Sequence, residues 1–470
     1  MHLSFHGAAQ FVTGSCHLLT LDSGFKVLLD CGLYQGYDKD LRTFNAKWAF
    51  DPAEIDVMVL SHAHIDHCGR IPRLVRDGFR GKIYCTHATR SLANILLLDS
   101  AHIQEKDAEY WNKRKRRQLG AGKFEEREPL YVQKDVQIAM RQFVALPYDM
   151  TVELNDEVRL EFRDAGHILG SASVSLRVGR GSEELRVGFT GDIGRPERPI
   201  LRDPQPMAQQ DYLLTESTYG DRDHVDRPAE KGRFLEIIKD TCIRRRGKLL
   251  IPAFSVGRTQ ELVYLLDQLE NDGLLPEHIQ VYVDSPLAIN ATVIYGNHPE
   301  CYDSDLHEYL LRDPDPFGFN SLTYTRKVEA SKAINDQKGP AIIIASSGMA
   351  NAGRIKHHLN NHLGDARNTA FIVGYCAPGT PGARLRNGDD TVRLFGEEVP
   401  VRAKVEVMDS FSAHADRTEL SAFLANQKDA ARLFLVHGEA EAQRPFAEQL
   451  RDAGHGEVAI PGLHERFEIG

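Results

Sequence analysis

Between Ser61 and Gly69 the chain reads SHAHIDHCG, which sets His62, His64, Asp66 and His67 within six consecutive positions. Imidazoles and carboxylates so closely spaced can converge on one divalent cation. The preceding run, Ile55–Leu60 (IDVMVL), has the composition of a buried strand, so these donors lie where a rigid element opens into a loop. Cys68 stands beside them, but a lone thiol there reads as a small buried filler.

Further donors recur in the same setting. His167 follows VRLEFRDAG, Asp192 follows LRVGFTG, His437 follows LFLV, Asp30 ends VLLD and Glu216 ends YLLTE. Histidine and carboxylate donors without thiolate favour zinc, with manganese and iron as alternatives. Seven ligands with one shared carboxylate suit two ions about 3.5–4 Å apart, an arrangement that clamps the attacking and leaving oxygens of a hydrolysis.

The elements carrying these residues read as a layered α/β body. Val27–Asp30, Ile55–Leu60, Lys82–Cys85, Val158–Asp164, Val174–Val178 and Leu185–Thr190 have strand composition, and Ser91–Gln104 has helical spacing. A charged insertion, Gln104–Glu128, contains NKRKRRQ and reads equally as a solvated helix end, a mobile lid or a nucleic-acid contact. From Tyr212 strands alternate with longer helices: Lys248–Pro252, the helix Arg258–Leu269, then Ile279–Val283, Ala341–Ala345 and Ala370–Val373, as in a parallel sheet of βαβ units. After Pro400 a strand runs to Phe411, a helix over Thr418–Ala425 is opened by Asp416, a strand ends at His437, and the helix Glu439–Asp452 precedes a last strand, Val458–Pro461. The expected division is 1–208, 209–398 and 399–470, the first and last segments forming one domain.

A chain of 470 residues exceeds one ordinary core. With 42% hydrophobic and 26% charged residues it has a globular composition. Seven cysteines, an odd count with no C-x-x-C, argue against a disulfide framework and a thiolate zinc site. No apolar run reaches the ~20 residues of a bilayer span, and the first residues lack a signal-peptide pattern, so a cytoplasmic protein with no membrane partner is expected. A net charge of −10 repels polyanions at long range, so any phosphate must be held by local basic clusters.

Taken in order, Asp30 in LLDCG, the His62–His67 cluster, His167, Asp192 in TGD, Glu216 in ESTYG, His414 in SFSAHAD and His437 in VHGE extend over essentially the whole chain. In these motifs the chain resembles the metallo-β-lactamase superfamily, and within it the β-CASP branch of RNA nucleases. That resemblance implies a four-layer αββα metallo-β-lactamase fold with an inserted β-CASP domain, a parallel sheet flanked by helices. It implies that His62, His64, His167 and Asp192 hold one zinc, that Asp66, His67, Asp192 and His437 hold a second, and that Asp30 orients a ligand imidazole. His414, beside Ser412, becomes the proton donor to the leaving oxygen, paired with Glu216, and Asp66 positions the nucleophile.

Three stretches of the middle region read as phosphate binders: Pro252–Glu261, Ser346–Arg354 and Gly374–Leu385. In the first two, small residues open a helix and can turn backbone N–H groups toward an anion. Arg258, Ser347, Gly348, Arg354, Lys356, Gly379, Thr380, Arg384 and Arg386, with Ser412, are the expected substrate contacts. The third stretch departs from the family's Gly-Arg by reading Gly382-Ala383-Arg384.

The function expected is a zinc-dependent ribonuclease that hydrolyses single-stranded RNA with metal-activated hydroxide, mainly endonucleolytic, leaving 5′-phosphate and 3′-hydroxyl ends. The alternatives are a 5′-to-3′ exoribonuclease, a DNA or small-molecule hydrolase on the same dinuclear site, and a non-catalytic RNA-binding scaffold. The short stretch after His437 leans toward the endonuclease group. The sequence is compatible with a homodimer.

Overall fold

The computed structural model describes residues 1–36, 41–120, 122–181, 184–224, 231–276, 278–374, 376–377, 379–408 and 411–470. They form two compact units. The first comprises Met1–Pro196, Asp203–Asp223 and His414–Gly470; the second comprises Glu197–Arg202 and His224–Ala413.

The first unit is built on two seven-stranded sheets. One runs in the order Arg466–Glu468, His2–Gly7, Cys16–Thr20, Lys26–Leu29, Val57–Val59, Lys82–Thr86, Phe143–Leu146. The other runs Glu457–Ala459, Arg432–Val436, Tyr212–Glu216, Leu185–Phe189, Ala172–Val178, Val158–Asp164, Val152–Glu153. Each is antiparallel over one half and parallel over the other. Val158–Asp164 shows why such a sequence makes a strand. Val158, Leu160 and Phe162 turn into the core while Arg159, Glu161 and Arg163 alternate toward solvent.

The two sheets share one apolar layer in which Leu3, Phe5, Leu19, Val27 and Val59 of the first meet Leu160, Phe162, Val174, Leu176, Phe189, Leu214 and Phe434 of the second. Helices cover the outer faces. Arg417–Phe423 and Ala440–Asp452 bury Leu420, Phe446 and Leu450 against Leu213, Leu433 and Leu435, while His87–Leu119 lies on Lys82–Thr86 and Phe143–Leu146. This is the four-layer αββα arrangement.

The helix expected over Ser91–Gln104 runs from His87 to Leu119, taking in the NKRKRRQ stretch. Thr86 caps it by accepting from the Thr89 amide, and Gly120, at φ 91°, ends it. Lys, Arg and Gln are good helix formers, and the returning segment braces the extension: Trp111 packs on Phe124 at 5.7 Å, and Asn112 exchanges two hydrogen bonds with the Arg127 backbone.

The second unit holds a six-stranded, wholly parallel sheet in the order Leu322–Tyr324, Gln280–Val283, Ala341–Ala345, Lys248–Pro252, Thr369–Ile372, Lys404–Val407. Its central strand AIIIA is buried along its whole length, as a strand covered on both faces must be. Set beside the expected crossings after residues 208 and 398, those of the compact units fall at 196/197, 202/203, 223/224 and 413/414. Tyr212–Glu216 pairs with Leu185–Phe189 in the first unit, and Lys404–Val407 pairs with Thr369–Ile372 in the second. An apolar run marks a strand but carries no record of which neighbour it will bond. A closing strand absent from the sequence reading, Arg466–Glu468, pairs with His2–Gly7. Among the described residues no helix is long and apolar enough to cross a membrane.

Candidate metal centre

In the first unit the parallel strands deliver their carboxyl ends to a common rim, the usual place for a ligand site in such sheets. Lys26–Leu29 ends at Asp30, Val57–Val59 leads to His62, Leu185–Phe189 to Asp192, Tyr212–Glu216 ends on Glu216, and Arg432–Val436 leads to His437. Val158–Asp164 runs in the same sense and leads to His167. His64 precedes the single turn Ile65–Cys68, which carries Asp66 and His67.

Gly32 makes room for that turn. A Cβ there would lie 1.6 Å from the Asp66 carbonyl oxygen, because the loop after Asp30 is laced to the turn by the Cys31 amide donating to His67 O and the Leu33 amide to Ile65 O. Asp30 and His437 themselves adopt φ of 58° and 48°, a region non-glycine residues occupy at a cost and mostly at functional sites.

Three overlapping groups of donors result. His62, His64, His167 and Asp192 offer ligand atoms within 4.8 Å of one another, and so do Asp66, His67 and His437; the third is Asp192, Glu216, His414 and His437. Asp192 joins the first two. Its Oδ2 lies 3.4 Å from His62 Nε2 and 3.5 Å from His167 Nε2, and its Oδ1 lies 3.3 Å from His67 Nε2 and 3.4 Å from His437 Nδ1. Ring nitrogens also face one another: His62 Nε2 and His64 Nδ1 at 3.1 Å, His67 Nε2 and His437 Nε2 at 3.2 Å.

The donor set fits a cation. Asp192 Oδ1 is buried without a hydrogen-bond partner, a costly state for a carboxylate oxygen unless it is a ligand. Burial and the nearby His67 push the His62 imidazole well below its ordinary range, and burial takes His64 to about 4, leaving lone pairs for coordination. Against the effect of burial, the surrounding histidines hold Asp192 and Asp66 below the usual carboxylate range. Burial also opposes charge on His67, yet Asp192 and Asp30 carry it well above its ordinary value, so positive charge is favoured between those two carboxylates.

Asp30 supports the second group. It is fully buried and accepts from the Ser61 amide at 2.8 Å (Oδ1), from Ser61 Oγ at 2.9 Å and Ser15 Oγ at 3.1 Å (Oδ2), and its Oδ2 lies 2.7 Å from His67 Nδ1. Ser15, Ser61 and Thr218, whose Oγ1 is 3.1 Å from His437 Nδ1, were not singled out from the sequence. Hydroxyls carry no spacing signal; only the adjacency of Ser61 to His62 pointed toward one of them.

Beside Asp192 stands a further pair. His414 Nδ1 is 3.2 Å from both oxygens of the buried Glu216, which also accepts from the Ile193 amide at 2.6 Å. Burial works to lower the His414 imidazole, but the Glu216 charge and hydrogen bond carry it up to about 9. It stays protonated at neutral pH.

Most of the basic residues expected to meet phosphate are engaged within the second unit. Arg258 is buried and donates to Val373 O at 2.7 Å; Arg354 donates to Asp284 Oδ1 at 2.6 Å and to the carbonyls of Thr325 and Arg326; Arg384 donates to Asp389 Oδ2 at 2.8 Å; Arg386 donates to Gly374 O at 3.2 Å. Lys356 lies over the Phe395 ring at 4.6 Å. Thr380 caps the helix Pro381–Arg386, Ser347 Oγ donates to Asn351 Oδ1 at 2.7 Å, and a Cβ on Gly348 would meet the Phe254 ring at 2.8 Å. Gly379, at φ 81°, is exposed in the turn before that helix, and Ser412 is buried. Positions 375 and 378 of the Gly374–Leu385 stretch lie outside the described residues.

Three family models match the chain: the metallo-beta-lactamase superfamily over residues 9–240, the Beta-Casp domain over 259–385, and the Zn-dependent metallo-hydrolase RNA specificity domain over 398–461. The chain belongs to the metallo-β-lactamase superfamily and carries the Beta-Casp domain, which makes it a metallo-hydrolase. Among individual proteins it is 38% identical to ribonuclease TTHA0252 of Thermus thermophilus, across 93% of this chain and 92% of that one. It is 30% identical to transcription termination factor FttA of Methanocaldococcus jannaschii (98% and 70%), and 31% identical to endoribonuclease ysh1 of Schizosaccharomyces pombe (92% and 53%). A crystal structure of a protein of unknown function from Enterococcus faecalis V583 matches over 99% of each chain with a TM-score of 0.54 at 11% identity, a likeness of fold alone.

Proposed function

We propose that this protein is a zinc-dependent ribonuclease that hydrolyses phosphodiester bonds of single-stranded RNA, mainly within the strand, leaving 5′-phosphate and 3′-hydroxyl ends. The observation that carries the reading is the pair of donor groups joined through Asp192 with the His414–Glu216 pair beside them. Similarity to proteins named as ribonucleases, and the match to an RNA specificity domain, support the substrate.

His62, His64, His167 and Asp192 would hold one ion, and Asp66, His67, His437 and Asp192 the other. When bound, such ions supply Lewis-acid charge at phosphate oxygens and make water acidic enough to ionise near neutral pH. The chain's own groups do the rest. Asp66, kept anionic, accepts a hydrogen bond from the attacking water and sets its direction. Glu216 engages His414 Nδ1, which leaves Nε2–H for the leaving 3′ oxygen. The water oxygen bonds to phosphorus and gives up a proton to solvent, the P–O3′ bond breaks, and the His414 proton passes to O3′ and is replaced from solvent.

The test is cleavage of internally labelled and 5′-labelled RNA by wild type, Asp66→Ala and His414→Ala, with metal content measured on all three. Internal cuts bearing 5′-phosphates, lost in both variants, are expected, with metal kept in His414→Ala. Cyclic phosphate ends, or loss of cleavage at a site carrying 2′-deoxyribose, would overturn the water-attack reading, and stepwise release of mononucleotides from the 5′ end alone would overturn the endonucleolytic one.

A further inference from the structure

A cavity of about 420 Å³ opens in the first unit. Its walls are Tyr34, Phe44, Trp48 and Phe50, with Arg70 and Lys47 among them. Volume and lining are those of a small-molecule site.

The cavity is built rather than incidental. Arg70, only 3% exposed, donates from Nε to Gly32 O at 2.7 Å and lies over the rings of Trp48 (4.8 Å) and Tyr34 (5.6 Å). Trp48 Nε1 donates to Asp77 at 2.8 Å; the Tyr34 backbone exchanges two 2.9 Å hydrogen bonds with the buried Asn45 side chain, and its hydroxyl donates to His6 O. Phe44 packs at a tilt on Tyr34 at 5.2 Å, and Phe50 on Trp48 at 5.5 Å. Side chains so fixed lose little further freedom when a ligand enters.

Position ties the cavity to the metal rim. His2–Gly7 is antiparallel to Cys16–Thr20, which is antiparallel to Lys26–Leu29, so His6 on the cavity wall leaves its strand on the edge where Asp30 leaves its own. Arg70 follows His67 by three residues, and its amide donates to Cys31 O.

We propose that this cavity receives a nucleobase of the single-stranded RNA substrate. Aromatic walls offer stacking to any base, the buried Arg70 guanidinium braces the Trp48 and Tyr34 rings from behind, and the exposed Lys47 in the lining supplies charge for the attached phosphate. Two cationic side chains disfavour an ammonium ligand, and four aromatic walls are surplus to a bare phosphate. The source of the base rests on the ribonuclease reading; the base-binding chemistry does not.

The chain has two tryptophans, Trp48 and Trp111, so in Trp111→Phe the emission reports on Trp48 alone. That protein is titrated with adenosine 5′-monophosphate, which has no phosphodiester bond to cleave, and in parallel with inorganic phosphate. Saturable quenching by the nucleotide and none by phosphate is expected. Phe44→Ala, at a ring 41% exposed and therefore not needed for folding, should weaken the nucleotide about 5- to 150-fold, the range for one stacked base, and raise KM for RNA with kcat unchanged.

Equal quenching by phosphate, or nucleotide affinity unchanged in Phe44→Ala, overturns the proposal. RNA cleavage without nucleotide quenching also overturns it while leaving the nuclease reading intact. Quenching without RNA cleavage supports the cavity and removes the nuclease reading.

Discussion

Replacing Asp30 by Asn keeps the shape of the side chain and removes one acceptor, and the four donors around it leave the amide no good orientation. With nitrogen in the place of Oδ1 it meets the Ser61 N–H at 2.8 Å, donor against donor, in a fully buried site. With nitrogen in the place of Oδ2 it meets Ser15 and Ser61 hydroxyls, which can rotate, and His67 Nδ1 at 2.7 Å, which must give up its proton. The imidazole proton then moves to Nε2, the nitrogen 3.3 Å from Asp192 Oδ1, and blocks the lone pair that would bind metal. The first orientation costs about 1–3 kcal/mol of stability for an unpaired buried donor. The second costs about 10- to 100-fold in metal affinity.

The loss should fall on one ion. Asp30 touches His67 directly but reaches the His62, His64 and His167 group only through Ser61. Zinc competition against a chromogenic chelator should therefore show two sites in wild type and, in Asp30→Asn, one retained and one weakened. Equal weakening of both sites, or unchanged affinity with unchanged melting temperature, would refute the assignment of Asp30 to His67.

Arg354→Ala should act on stability rather than on substrate. It strips the buried Asp284 of its guanidinium, at about 3 kcal/mol, and a lower urea midpoint with an unchanged KM for RNA checks this. Phe434, between Phe5 at 5.2 Å and Phe467 at 5.1 Å in the shared layer, should cost about 3–5 kcal/mol as Phe434→Ala, read by chemical denaturation. Asp267 gives a pH test: burial pushes its carboxyl from 3.8 up to about 7 while Tyr309 donates to its Oδ2. The folded protein thus stays protonated there when the unfolded chain is ionised, so its contribution to stability declines as pH rises between those values and is level above. Asp267→Asn should remove that decline in melting temperature against pH; a slope matching wild type would refute it.

The sequence alone nominated much of the candidate centre, because metal chemistry narrows residue choice to a few types and strand–loop composition announces where they sit. His62 to His67 could be read as one site from spacing, since six residues of loop cannot spread far. Phe411 and the strand before it could be read as structure, but not as part of the second unit, because the Lys404–Val407 run is compatible with either sheet.

Tertiary structure decided what local pattern cannot encode. It brought His437 to 3.2 Å from His67 across 370 positions, and gave Asp30 its hydroxyl partners. It also turned Arg258, Arg354 and Arg384, charges that looked available for phosphate, toward carbonyls and carboxylates of their own unit. A residue's type and spacing declare which bonds it can make. Which of them it does make is settled when the chain folds and each buried donor has to find an acceptor.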